Sequence, residues 1–173
     1  FIKKHKNVDL KIEEYNTDTI SKKLEDNTID CAIAATPLNN SKIIERPLYY
    51  EPFVAYVPEH HFLSGNKSLE LDDLSNSDLL ILEDGHCFRN QVLNLCSLDD
   101  LNKQYELKSG SFETLINLSN NGPWMTIIPY LHSNNLSSNN IQNIIPFEDP
   151  APAREISMTV SYTHLTLPTT MLV

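Results

Sequence analysis

At 173 residues and 40% hydrophobic content, the chain can bury a core and sits in the size range of one domain or two small lobes. Four glycines against 10 prolines and 21% charged residues exclude a collagen-like or low-complexity polymer, and a net charge of -10 excludes nucleic-acid binding by this segment alone, because phosphate affinity comes from clustered Lys and Arg. No apolar run approaches the roughly 20 residues that span a bilayer. The opening Phe1-Ile2-Lys3-Lys4-His5 lacks the plan of a signal peptide and no initiator Met stands there, so a cytoplasmic location and a missing upstream portion are expected, with no membrane partner.

In chain order, residues 8–15 alternate apolar and polar as a half-buried strand does. Thr17 precedes a segment with Ile20 and Leu24 on one helical face, and threonine there suits a helix N-cap. Residues 29–35 form a short, nearly continuous apolar run that predicts a buried strand, with Cys31 in the core. A strand over 52–57 follows. Another over 79–82 runs into a helix that begins near His86 and carries Phe88, Val92 and Leu95 on one face.

Phe112, Leu115 and Ile116 mark a further helix face, Met125-Thr126-Ile127-Ile128 a strand stopped by Pro129, and late strands are expected near 141–146 and 154–160. Alternating strands and helices predict an α/β architecture of two lobes around a cleft, hinged near Tyr50 to Pro52, with a return crossing near Pro150 to Pro152. Lobe I takes 1–51 plus 153–160 and lobe II takes 52–152. Residues 161–173 break the pattern and resemble the tail of a translation that has run into adapter sequence; an ordinary disordered terminus is the plain alternative.

Three cysteines are too few and too odd a number for a disulfide scaffold, which turns attention to reactivity. In Leu82-Glu83-Asp84-Gly85-His86-Cys87-Phe88-Arg89 an Asp-Gly turn places Cys87 at a helix start, where unpaired N–H groups, His86 and Arg89 favour a thiolate. A reachable thiolate is what peroxide oxidises to a sulfenic acid. In one continuous helix, Cys87 and Cys96 would stand roughly 13 Å apart at about 1.5 Å per residue. A disulfide needs about 4.4–6.8 Å between Cα atoms, so pairing requires the helix to unwind. The same two residues read equally well as small buried hydrophobes at helix ends.

Glu83-Asp84-Gly85-His86-Cys87-x-Arg89 followed by Cys96 resembles the redox loop of the OxyR-like peroxide sensors among LysR-type transcriptional regulators. Thr17 before a helix, the run 29–36, Leu48-Tyr49-Tyr50-Glu51-Pro52-Phe53 and Ser111-Phe112-Glu113-Thr114-Leu115 fall in that family's order, and the likeness covers about residues 1–158. The resemblance implies a periplasmic-binding-protein-like (type 2) effector domain with a central cleft and a redox loop over 84–97. It implies Cys87 as the peroxidatic cysteine and Cys96 as the resolving one, with Thr17, His86 and Arg89 around the peroxide. It also implies a homo-oligomer, a thiol reductant for resetting, and promoter DNA and RNA polymerase engaged only through the intact protein. Asn90 stands where the family often has aspartate, and Pro123-Trp124 interrupts a glycine-rich approach to residues 125–129. A threonine that the family places upstream in the pocket would lie before Phe1.

The main rival is a LysR-type effector domain that binds a small organic ligand and ignores oxidation. A solute-binding protein of similar fold is a second. An enzyme is not expected: a phosphatase loop needs Arg six residues after the cysteine, where Leu93 stands, and a peroxidase would turn over steadily with reductant. His5, His60, His61, His86 and His132 show no ligand spacing with the cysteines, so neither metal nor other cofactor is expected, and His60-His61 reads as a solvated turn. Asp72-Asp73 and Asp99-Asp100 read as caps or solvated surface.

Overall fold

The computed structural model describes residues 2–76, 78–82, 88, 91–92 and 111–162. Helix α1 (Thr17–Glu25) opens on Asn16, whose side chain accepts from the Thr19 amide at 2.9 Å. The cap is thus Asn16 and Thr17 is the first helical residue, a correction by one position: asparagine caps as readily as threonine. Leu24 is fully buried under the sheet.

The frame is strand β2 (Ile43–Tyr56), 14 residues long. Its first part pairs antiparallel with β6 (Ala153–Ser161), which pairs in turn with β1 (Ala32–Thr36). From Phe53 onward β2 takes new antiparallel partners, β4 (Met125–Pro129) and β5 (Ile144–Pro146), and β3 (Leu79–Leu80) joins β4 in parallel. Helices α2 (Phe112–Asn121), α3 (Tyr130–Ser133) and α4 (Ser138–Ile141) and a 3-10 turn (Leu71–Asn76) flank the strands, and Phe88, Gln91 and Val92 are also helical.

Residues 8–15 form no strand. Val8 is 48% and Ile12 82% exposed, for no described strand lies beside them, and an alternating pattern without a ladder partner leaves its N–H and C=O groups to water. Cys31 is exposed rather than core. It precedes β1, an edge strand whose outward face carries Ile33 at 68% exposure, so the continuous apolar run is not covered on both faces. Residues 138–141 are helical, Ile81 and Leu82 lie beyond β3, and Pro129 closes β4 from inside it. At the far end Ser161 belongs to β6, opposite Ile43, and the Tyr162 amide donates to Lys42 O at 2.8 Å. Residues 163–173 lie outside the described residues.

Two kinds of interior result. Around β2's second half an apolar core gathers Phe53, Ala55, Leu69, Leu74, Leu80, Phe88, Val92, Leu115, Met125, Ile127 and Phe147. Under α1 the sheet face is small and polar: Thr36, Ser157, Thr159 and Ser161 are buried. Those of Thr36 and Thr159 are satisfied within the sheet, Thr36 donating to Ser157 or Glu155 and Thr159 to Ala32 O. Ser157, Tyr50 and Thr36 all donate to the Glu155 carboxylate and hold its pKa below the usual range.

Trp124 fits without distorting β4. Its ring lies over Gly122, where a Cβ would collide with it, and the side chain packs partly buried against the apolar core. His60-His61 is only half solvated: His60 is exposed and contacts Gly122 O at 2.6 Å, but His61 is 6% exposed, stacked on Phe62, with Nδ1 accepting from the Leu63 amide. Burial lowers the His61 pKa, opposed by the Asp78 carboxylate and reinforced by His60.

The buried Tyr56 hydroxyl ties β2 to both flanking helices: it stands 2.6 Å from Asn120 Oδ1 and 3.0 Å from Asn140 Oδ1, and accepts from Asn143 Nδ2 at 3.1 Å. Tyr56→Phe strands these amides and is expected to cost about 1–3 kcal/mol in urea unfolding. An unchanged midpoint would mean that water satisfies the three asparagines.

Candidate functional site

Of the residues expected to carry chemistry, Cys87, Cys96, His86 and Arg89 lie outside the described residues, as does the span 93–110 that includes Asn94 and Leu95. Asn90 does too. Thr17 is described, half-buried at the start of α1. What the structure does place is the residue bonded to Cys87. Phe88 is helical and 4% exposed, and Val92, one helical turn on, is 1% exposed. Between them Gln91 has its Oε1 buried without a hydrogen-bond partner among the described residues.

Phe88 sits in an aromatic and cationic pocket. Its ring meets Phe53 edge-to-face at 5.3 Å and Phe112 edge-to-face at 5.0 Å, and the Arg154 guanidinium lies 5.6 Å from its centroid. Phe112 passes the contact on to His132 at 4.9 Å. These residues come from β2, α2, β6 and α3, elements far apart in sequence that meet where β2 changes partners.

Arg154 is held by Glu51, its register partner across β2 and β6. Nε donates to Glu51 Oε2 at 2.8 Å, Nη2 lies 2.7 Å from the same oxygen, and Glu51 Oε1 accepts from the Leu131 amide of α3 at 3.0 Å. With Glu51 only 3% exposed, this is a desolvated ion pair whose attraction water screens little. It joins three elements through one carboxylate. Burial lowers the His132 pKa, opposed by the nearby Glu113 and Glu51 carboxylates.

Sequence reasoning did not single out Glu51, Arg154, Phe112 or His132 as parts of one site. A signal was present for Glu51, an acid inside the apolar run Leu48-Tyr49-Tyr50-Glu51-Pro52-Phe53, because a charge in a core strand implies a buried counter-ion. Which cation answers it depends on strand register, which the sequence does not display. Among the described residues no group of three or more His, Cys, Asp or Glu could hold a metal ion, and no helix is long and apolar enough to cross a membrane.

The LysR substrate binding domain matches residues 1–170. The chain belongs to that family. This LysR substrate binding domain is 32% identical over 145 residues to the hydrogen peroxide-inducible genes activator of Haemophilus influenzae, covering 84% of this chain and 48% of that protein. It is 30% identical over 124 residues to the DNA-binding transcriptional dual regulator OxyR of Escherichia coli K12, covering 72% and 41%. The chain thus spans about half the length of the curated relatives it matches. Among solved structures, it resembles the reduced OxyR regulatory domain of Pseudomonas aeruginosa with a TM-score of 0.79 and 28% identity, over 94% of this chain and 78% of that one. It resembles a hydrogen-peroxide-bound OxyR C206S mutant of Corynebacterium glutamicum with a TM-score of 0.84 and 26% identity, over 94% and 52%. The expected class, an α/β periplasmic-binding-protein-like (type 2) effector domain, holds.

Two expectations follow from the pocket. Arg154→Met leaves the Glu51 carboxylate buried and unpaired and is expected to lower stability by about 3–5 kcal/mol, while Glu51→Gln in the same chain restores part of it. Urea unfolding of the two single variants and the double variant measures this, and additive losses would show that the pair is not coupled.

His61 and His132 have folded pKa values below the ordinary 6.5, so below that pH the unfolded chain binds protons that the native chain does not. Stability is therefore full above about pH 6.5 and falls as pH drops through that value towards the folded pKa values. The urea midpoint at about pH 5.5 should lie below that at about pH 7.5, with a shallower drop for His61→Gln/His132→Gln. Equal midpoints in the parent chain would contradict the assignment.

Proposed function

We propose that this chain is the redox-sensing regulatory domain of a hydrogen-peroxide-responsive LysR-type transcription regulator, switched by Cys87 and Cys96. The observation that carries the reading is the segment Glu83-Asp84-Gly85-His86-Cys87-x-Arg89 with Cys96 nine residues on, in a chain similar over most of its length to peroxide-inducible genes activators. The burial of Phe88 and Val92 supports it. Both side chains lie between the cysteines in sequence and both are buried, so a disulfide that displaced them would be coupled to a local loss of packing.

The Cys87 thiolate attacks one oxygen of hydrogen peroxide, the O–O bond breaks, and the departing hydroxide takes a proton to become water, leaving a sulfenic acid. Thr17, His86 and Arg89 are the residues assigned to hold the peroxide and stabilise the departing oxygen. The Cys96 sulfur then attacks the sulfenic sulfur, the S–O bond breaks, and a second water leaves. Two thiols have lost two electrons to one peroxide. A thiol reductant resets the pair by exchange.

Such a domain reacts once and waits for reduction, so it acts as a sensor rather than an enzyme. We assign 1–51 with 153–160 and 52–152 to its two lobes. The intact protein would work in the cytoplasm as a homo-oligomer, meeting promoter DNA and RNA polymerase through parts outside this acidic segment.

The test is peptide mapping without reductant, before and after one equivalent of peroxide, in a Cys31→Ser background because the exposed Cys31 thiol would otherwise add cross-links of its own. A dithiothreitol-reversible Cys87–Cys96 peptide is expected in the parent. Cys87→Ser should abolish every peroxide-induced change, and Cys96→Ser should accumulate a sulfenic acid that a dimedone-type reagent traps. Free thiols after treatment of the folded chain would overturn the proposal in favour of a small-ligand effector domain.

A further inference from the structure

We infer that Phe88 is a positioning residue that transmits the state of the cysteine pair to helix α3, through Arg154 and Glu51 on one side and through Phe112 and His132 on the other. This rests on the redox reading above and adds the route by which it leaves the site.

Two physical paths start at the Phe88 ring and end on the same four-residue helix. The first runs from the ring to the Arg154 guanidinium at 5.6 Å, then by a charge-assisted hydrogen bond and an ion-pair contact to Glu51, then by the other oxygen of that carboxylate to the Leu131 amide. The second runs through Phe112 at 5.0 Å to His132 at 4.9 Å. Leu131 and His132 are neighbours in α3. With Phe88 seated, Arg154 is only 18% exposed in its side chain, enclosed between an aromatic face and a carboxylate.

Phe88 is peptide-bonded to Cys87, and Val92 lies between the two cysteines. A disulfide closes a loop over residues 88–95 in which the two Cα atoms stand about 4.4–6.8 Å apart. Were the segment from Cys87 to Cys96 one helix, its ends would stand roughly 13 Å apart, so closing the bond would take the chain out of helical geometry, and Phe88, next to Cys87, would leave its pocket with it. Gln91 makes departure easier, since its buried Oε1, without a partner among the described residues, gains a hydrogen bond on reaching water. When the ring withdraws, water reaches the guanidinium, the local dielectric rises and the Arg154–Glu51 attraction weakens. The carboxylate that anchors α3 is then held less firmly, and Phe112 loses its edge partner in the same event.

The Leu131 amide is the reporter, because its acceptor is Glu51 itself. Its hydrogen exchange is measured by NMR in the Cys31→Ser chain, reduced and oxidised, with the Ile128 amide in β4 as an internal reference. The Cys87–Cys96 peptide is mapped on the same samples. The reduced chain should protect Leu131, and oxidation should speed its exchange by roughly thirtyfold, the scale of losing a desolvated cation–aromatic contact, while Ile128 changes little. Reduced Phe88→Ala should already exchange fast and show no further step on oxidation. Phe88→Leu, which keeps most of the volume without the π face and carries the test if the alanine variant fails to fold, should fall between. An unchanged Leu131 rate with the disulfide formed would overturn this route and leave the redox reading standing. Absence of the disulfide would overturn the redox reading, and the coupling with it.

Discussion

The arrangement depends on a buried ion pair placed where one strand serves two sets of neighbours. β2 runs unbroken from Ile43 to Tyr56, pairing with β6 up to Pro52 and with β4 and β5 from Phe53. A strand that changes partners loses the ladder that would hold its direction at the change. Glu51 and Arg154 supply a fixed point there, since they face each other in the β2–β6 register and the carboxylate also anchors α3. A desolvated pair of this kind is weak evidence for net stability but strong evidence for a defined geometry, because either member left alone is expensive.

The two interiors on either side of that point differ in chemistry. Under α1 the sheet presents hydroxyls, several of which bond to one another and to Glu155; beyond Pro52 the core is aliphatic and aromatic. A polar interface is held by directional bonds, whereas an apolar one responds to volume, so removal of a side chain as large as Phe88 is felt mainly on the apolar side. That side also carries the Arg154 face, where a packing change becomes an electrostatic one. The redox event proposed for Cys87 and Cys96 would thus have a physical means of reaching elements distant in sequence.

Much of the fold was legible because it depends on local pattern. The helix after Asn16, the helix from Phe112, the last part of β2 from Pro52, and strands β4 and β6 follow from periodicity and from proline placement, whereas the continuation of β2 back to Ile43 did not. The misreadings share one cause. Residues 8–15 alternate as a strand should, and the run through Cys31 is apolar as a buried strand should be, yet pairing and covering are supplied by neighbours distant in the chain. His61 erred the other way: two adjacent histidines look solvated, but the turn after Pro58 folds the second inward against Phe62 and Leu63.

For the site, the sequence by itself determined the chemical repertoire: an acidic segment unsuited to binding phosphate backbones, a cysteine flanked by His86 and Arg89, a second cysteine nine residues on, and the family likeness that those residues carry. These are properties of composition and short-range order, readable without coordinates. Only the tertiary structure decided that Phe88, beside that cysteine, lies against Arg154, that Arg154 answers Glu51, and that the pair reaches Leu131. Glu51 and Arg154 are 103 residues apart, and no local propensity specifies which buried acid meets which base; strand register does, and register is set only when the whole sheet has formed.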